Sequence, residues 1–264
     1  MTETTWRTLV TGASSGIGAE YARALRARGE ALVLVARRRD RLDSLAAELG
    51  GEPAVVVVAA DLARDGAAEL LKKMLDDRGL SVDGLVNCAG LGLTGPFAEQ
   101  PLPVIRAMCD VNMRALVELT RAFVPPMLER RRGRIVNVAS NAAFQPIPYL
   151  AVYAATKAFV LSFTEALGDE LRGTGIQVQA LCPGITATEF LDVSETGRGL
   201  RVRQLPMMTP RQVVQASLDG LERGRLRAVV GLPNRVLGFL AQRLAPGRLA
   251  RGVAGYLYRP RARG

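Results

Sequence analysis

The chain alternates between short apolar runs and longer stretches in which apolar positions recur at helical spacing. Apolar runs stand at 7–12 ("RTLVTG"), 31–37 ("ALVLVAR"), 54–61 ("AVVVVAAD"), 83–90 ("DGLVNCAG"), 134–140 ("RIVNVAS"), 176–184 ("IQVQALCPG") and 227–231 ("RAVVG"). Helical patterns follow the first three, near Ile17–Arg28, Arg39–Leu49 and Gly66–Asp77, and another begins at "TPRQVVQASLDGLERG". Strands this apolar are buried on both faces, with the intervening helices as their cover. The pattern predicts seven parallel strands joined by right-handed crossovers, an α/β doubly wound sheet with helices on both faces. No linker or internal repeat interrupts it, so residues 1–264 read as a single domain.

Composition narrows the chemistry. The chain is 48% hydrophobic and 23% charged, the balance of a soluble globular protein. No apolar run approaches the roughly 18 residues of a membrane span. The N-terminus lacks a basic stretch followed by an apolar one, so a cytoplasmic protein is expected. There is no histidine, which removes Ser-His-Asp hydrolysis, Cys-His proteolysis and His-ligated zinc; no metal site is expected. Proton chemistry must then use Tyr, Lys, Asp, Glu or Cys. Cys88, Cys109 and Cys182 match no zinc or redox spacing and read as reduced thiols.

The first strand runs into "TGASSGIG", residues 11–18. Strand, glycine-rich turn and helix let backbone N–H groups reach a pyrophosphate, helped by the positive end of the helix dipole. Gly12, Gly16 and Gly18 leave room where a side chain would block that approach. The second strand ends with Ala36 followed by Arg37 and Arg38, where an NAD site usually carries a carboxylate for the ribose 2′-hydroxyl. Guanidinium groups attract a 2′-phosphate instead, which favours NADPH. That preference rests mainly on Arg37. Asp61, after the third strand, could meet the adenine edge or cap the next helix.

Asn112 follows in "CDVNMRA", Ser140 ends the fifth strand, and Tyr153 and Lys157 stand 13 and 17 residues after Ser140. Tyr153 and Lys157, at i and i+4, share a helix face. Lys157 is one of only three lysines in the chain. Its ammonium, with a cationic nicotinamide, would lower the tyrosine pKa from about 10 toward working pH. Tyr153 could then donate a proton to a carbonyl oxygen. Singly, Ser140 could be a strand-end cap and Asn112 a helix-kinking polar residue.

This set, with "NCAG" at 87–90 and "PGITAT" at 183–188, resembles the short-chain dehydrogenase/reductase family over about residues 7–231. The resemblance implies a Rossmann-type sheet of seven strands in the order 3-2-1-4-5-6-7 that binds a nicotinamide dinucleotide. It implies a catalytic set of Ser140, Tyr153, Lys157 and Asn112. Ser140 would bind the carbonyl oxygen, Lys157 the nicotinamide ribose, and Asn112 would anchor a water in the proton relay. It implies cofactor contacts from Gly12, Ser14, Ser15, Gly16, Ile17, Gly18, Arg37, Arg38, Asp61 and Leu62. Asn87, Ala89, Gly90, Tyr153, Lys157, Pro183, Gly184, Ile185 and Thr188 complete that set.

Residues of about 186–209 correspond to the family's substrate lid, with Gly197 and Gly199 for mobility and Phe190, Leu191, Met207 and Met208 as apolar lining. Gln145, Ile147, Tyr149 and Phe190 are the substrate candidates. The net charge is +10, yet residues 1–222 carry 25 basic and 25 acidic residues, so the whole excess lies beyond them. There, an extension of about 232–264 reads as two basic amphipathic helices. One carries Val236, Leu237, Phe239, Leu240 and Leu244 beside Arg235 and Arg243. After a break at Pro246 and Gly247, the other carries Leu249, Val253, Tyr256 and Leu257. This extension could lie on an anionic membrane surface, pack across a subunit interface, or steer an acidic carrier or CoA phosphates. A homo-oligomer, dimer or tetramer, is expected, and no nucleic-acid partner.

The extension and "PIPYLAVYAATKAF" also resemble a bacterial branch of long-chain 3-oxoacyl and mycolate-type reductases. The leading expectation is an NADPH-dependent carbonyl reductase acting on a hydrophobic acyl or polyketide-like ketone. Alternatives are a secondary-alcohol or steroid dehydrogenase running oxidatively, and a non-catalytic dinucleotide-binding regulator. The complete Ser-Tyr-Lys-Asn set speaks against the regulator.

Overall fold

The computed structural model describes residues 5–190, 205–231 and 247–259. All seven predicted strands form: β1 (Arg7–Thr11), β2 (Ala31–Ala36), β3 (Val55–Ala59), β4 (Gly84–Asn87), β5 (Gly133–Val138), β6 (Ile176–Cys182) and β7 (Arg227–Val229). They make one sheet in the order β3-β2-β1-β4-β5-β6-β7, every pair parallel, as the resemblance implied. The expected helices are α1 (Gly16–Ala27), α2 (Arg39–Glu48) and α3 (Ala67–Asp77). Between β4 and β6 the chain adds α4 (Leu102–Cys109), a π-helical turn (Asp110–Ala115), α5 (Leu116–Glu129) and α6 (Ala151–Glu170). After β6, α7 (Pro210–Glu222) starts at a capping box in which Thr209 and Gln212 satisfy each other's backbone N–H.

The two-residue period of the strands sorts the core into two layers. Val10, Leu32 and Leu34 face one side with Tyr21, Leu25 and Val213 from α1 and α7. Their neighbours Leu9, Val33 and Val35 face the other with Leu71, Leu119 and Phe123 from α3 and α5. Both faces are covered, which is why the strands are apolar throughout rather than alternating.

The chain leaves β1 for β2 on one side, while β4 pairs on the other, so strand order reverses at β1 and β4. A crevice opens beyond the carboxyl ends of such strands. The expected lid has its two ends joined there. Met208 N–H donates to Ile185 O and Ala187 N–H to Met208 O, each at 2.9 Å. Leu191, Gly197 and Gly199 lie outside the described residues, as do Val236, Leu237, Phe239, Leu240 and Leu244 of the extension.

The second helix of the extension is α8 (Gly247–Tyr258). It lies against its own domain. Ala254 is buried with Ala142, Ile147, Leu150 and Ala154, and Tyr153 and Tyr258 pack on the same cluster. At Gly255 an added Cβ would sit 3.3 Å from Pro148, so the backbone approaches closely. None of the three roles weighed for the extension anticipated this inner contact; Val253 and Tyr256 remain exposed on the outer side.

Candidate active site

The glycine-rich turn is a steric necessity. A Cβ on Gly18 would fall 2.4 Å from Gly12 O, and one on Gly12, at φ +68°, would fall 2.9 Å from Ala89 backbone atoms. Gly16, also in the left-handed region, sits against Thr188. Thr11 ties the turn to β4: its hydroxyl accepts from Cys88 N–H and Ala89 N–H, both at 3.0 Å. Thr11 is not among the expected site residues; a hydroxyl at the exit of β1 is its only local sign. Ile17 packs into the core layer beneath the turn.

Asn112 occupies the π-helical turn and is 1% exposed. Its amide pairs with the Leu91 peptide like a neighbouring strand, accepting from Leu91 N–H at 2.8 Å and donating to Leu91 O at 2.9 Å. A second donation reaches Thr156 Oγ1 at 3.0 Å. π-bulges recur at functional sites because they re-aim one side chain; here that side chain locks the loop after β4 to α6. Gly90 lies in the same corner, where an added Cβ would meet Asn112 Oδ1 at 3.4 Å and Lys157 Nζ at 3.5 Å.

Lys157 is 5% exposed, and its ammonium donates to Val138 O at 2.7 Å. Burial pushes its pKa down to about 8, against smaller opposing effects of the Cys88 and Cys182 thiols. The ammonium lies 5.8 Å from the centre of the Tyr153 ring. The Ser140 side chain is close enough to Tyr153 to draw that hydroxyl's pKa down in part. Ser140 also caps the short 3-10 turn Asn141–Phe144, its oxygen accepting from Ala142 N–H at 3.1 Å. The strand-end cap weighed for Ser140 is therefore present.

The expected lowering of the tyrosine pKa does not hold for the protein alone. Burial pushes the Tyr153 hydroxyl up, the Ser140 hydrogen bond offsets this in part, and the neighbouring Tyr258 and Cys88 push the same way as burial. Lys157 is held by the Val138 carbonyl rather than by the tyrosine oxygen.

Among the other expected cofactor residues, only the helix-cap alternative for Asp61 is overturned. Arg37 is exposed and makes no hydrogen bond or ion pair with any described residue. Arg38 instead spans the turn, donating to Ser14 Oγ at 3.0 Å, Ser15 Oγ at 2.9 Å and Glu189 at 3.0 Å. Asn87 turns inward. It donates to Thr120 at 3.1 Å and Asn137 at 2.9 Å, a buried network that Asn137 extends to Thr164. The Leu62 side chain belongs to the core. Asp61 does not cap α3, whose N-cap is Gly66; its carboxylate accepts from Ala63 N–H at 3.1 Å, inside its own turn.

The loop after β6 returns to the site. Pro183 O accepts from Asn141 N–H at 2.9 Å, Gly184 O from the Thr186 hydroxyl at 3.0 Å, and Ile185 lies beside Met208. Among the substrate candidates, Phe190 packs tilted on the Tyr153 ring at 5.5 Å and against Gly92. Ile147 is buried beside Tyr153 and Tyr258. Tyr149 holds a left-handed backbone at φ +68°, and its carbonyl binds Gly95 N–H at 2.7 Å. Gln145 is half-buried in the same segment. Tyr258, which sequence reading passed over, was invisible because nothing local places α8 at this pocket.

The residues fit a dinucleotide. Glycines keep Cβ atoms out of the turn, N–H groups at the start of α1 can take the pyrophosphate, Arg38 lies on the turn against Ser14 and Ser15, and Lys157 is buried.

Comparison with known proteins agrees with this geometry. Residues 7–198, well over half the chain, match the family described as short chain dehydrogenase. A very-long-chain 3-oxoacyl-CoA reductase of Phaeosphaeria nodorum is 37% identical over 83% of this chain, and the match spans 64% of that relative's length. A ketoacyl reductase of Nostoc sp. is 32% identical over 98% of this chain and 90% of its own. A short-chain dehydrogenase from Sphingobium yanoikuyae, solved with NADPH, superposes with TM-score 0.78 at 38% identity, covering 85% of this chain and 87% of that one. One from Burkholderia phymatum, solved with NAD, superposes with TM-score 0.80 at 25% identity over 89% and 92%. The chain belongs to the short-chain dehydrogenase/reductase family.

Proposed function

We propose that this protein is an NADPH-dependent carbonyl reductase acting on a hydrophobic ketone of acyl type. The observation that carries the reading is the buried Lys157 ammonium 5.8 Å from the centre of the Tyr153 ring, with Ser140 acting on the Tyr153 hydroxyl. A bound nicotinamide supplies the hydride. Ser140 and Tyr153 hold the carbonyl oxygen between their hydroxyls, and Tyr153 gives its proton to that oxygen as negative charge develops there. Because burial keeps the tyrosine protonated at neutral pH, the protein is set up to donate a proton, the requirement of reduction. Lys157 positions the ribose and supports the proton's replacement, while Asn112 holds the loop that frames both.

Arg38 supports the choice of NADPH, since its guanidinium already lies on the turn that faces the ribose phosphate. The surroundings of Tyr153 support an apolar substrate: Phe190 packs on its ring, and Ile147 and Tyr258 share its apolar cluster. Relatives named as 3-oxoacyl-CoA and ketoacyl reductases support the acyl class.

A panel of ketones including 3-oxoacyl thioesters, followed by NADPH oxidation, tests the reading. Turnover of one of them should fall by about 10²-fold or more in Tyr153→Phe, with NADPH affinity kept. A Tyr153→Phe protein of undiminished rate would defeat it.

A further inference from the structure

Glu189 lies one residue beyond Thr188 and closes a charge cluster over the glycine-rich turn. Arg38 divides its donors between Ser14, Ser15 and one Glu189 oxygen, the last at 3.0 Å. The other Glu189 oxygen takes the Arg41 guanidinium of α2. Hydrogen bonds from Arg41 and Arg38 hold the Glu189 carboxyl below the usual carboxylate range.

Two forked guanidiniums and two serine hydroxyls are the donor set that suits a phosphate monoester. Among the described residues, the anion that meets those guanidiniums is the Glu189 carboxylate. We propose that Glu189 is an internal competitor for the cofactor's 2′-phosphate and sets the margin by which the protein prefers a phosphorylated dinucleotide. This rests on the reading that the protein binds NADPH at the turn.

The energetics permit exchange. The side chains of Arg38, Arg41 and Glu189 are 39%, 44% and 42% exposed, so each pair is screened by water and individually weak. A phosphate monoester carries more charge than a carboxylate and a third oxygen. It can take over both guanidiniums, at the cost of releasing Glu189 to solvent. A dinucleotide without the 2′-phosphate makes no such demand and leaves the Glu189 pairs in place. Glu189 is therefore a specificity residue that acts through Arg38 and Arg41, not a catalytic one.

Glu189→Gln keeps the shape and removes the charge. Affinities of wild type and variant for NADPH and NADH, read by nicotinamide fluorescence, give the test. Adenosine 2′,5′-bisphosphate and 5′-AMP, read by calorimetry, separate the 2′-phosphate from the nicotinamide end. Glu189→Gln should tighten NADPH and the bisphosphate by about twofold to tenfold at low salt, with NADH and 5′-AMP changed less than about twofold. The gain should shrink in about 0.5 M salt, where exposed charges are screened. Weaker NADPH binding in Glu189→Gln would mean that the carboxylate positions the arginines and would overturn the inference; equal shifts for all four ligands, or none, would do the same. A wild-type protein that bound neither dinucleotide would instead overturn the cofactor reading itself.

Discussion

Lys157 donates to the Val138 carbonyl at 2.7 Å, and no described carboxylate pairs with the buried ammonium. Buried charges are normally paired, because a lone carbonyl dipole repays only part of the lost hydration. Position 157 therefore bears a stability cost that the proposed chemistry explains.

The first prediction follows from that cost. Lys157→Met should fold at least as stably as wild type at pH 7 while losing about 10²-fold or more in ketone reduction. The pH dependence has a definite sign. The folded lysine titrates at about 8 and the unfolded one near 10.5, so between these values the unfolded chain holds more protons. Lys157 should therefore add stability as pH rises across that window, while the buried Cys88 and Cys182 thiols, pushed up to about 12, withdraw some above pH 9; wild type should gain on the methionine variant between pH 7 and pH 9.5. Urea midpoints at about pH 7 and pH 9.5 measure both. A variant much less stable than wild type at pH 7 would contradict this account of the site.

Thr11 yields the second. Its hydroxyl accepts from two backbone N–H groups, those of Cys88 and Ala89, and Thr11 is 1% exposed. Thr11→Val leaves both donors without that partner, which should cost about 1–3 kcal/mol. Dinucleotide affinity should weaken with it, since the Gly12–Ala89 contact frames the crevice. Thr11→Ser, which keeps the oxygen, should recover most of both losses. Denaturant midpoints at unchanged slope, with NADPH titrations, report the outcome.

α8 yields the third. Ala254 is 3% exposed in the cluster that also holds Ile147, Tyr153 and Tyr258. Ala254→Arg has no room there and should lift the helix from the pocket. KM for long-chain ketones should rise several-fold, while kcat for a small ketone stays within about twofold, since Ser140 and Lys157 are placed by β5 and α6. An unchanged KM across chain lengths would show that α8 takes no part in substrate binding.

Much of this protein was legible along the chain. Apolar runs reported strands buried on both faces. Gly12, Gly16 and Gly18 announced a turn that no other residue fits, because the excluded Cβ is a local fact about the backbone. Tyr153 and Lys157 share a helix face through the helical repeat alone. Partnerships across long separations were not legible. Arg37 and Arg38 look equivalent in sequence, yet Arg38 meets Glu189, 151 residues away, while Arg37 stays in solvent. Asn87 donates its amide to Asn137, 50 residues on, a buried partnership that no local spacing shows. Whether Tyr153 is pushed up or down depends on how deeply α6 and α8 bury it, and on which group holds Lys157. Local spacing governs backbone geometry and helix faces; desolvation and charge pairing depend on neighbours that the fold alone brings together.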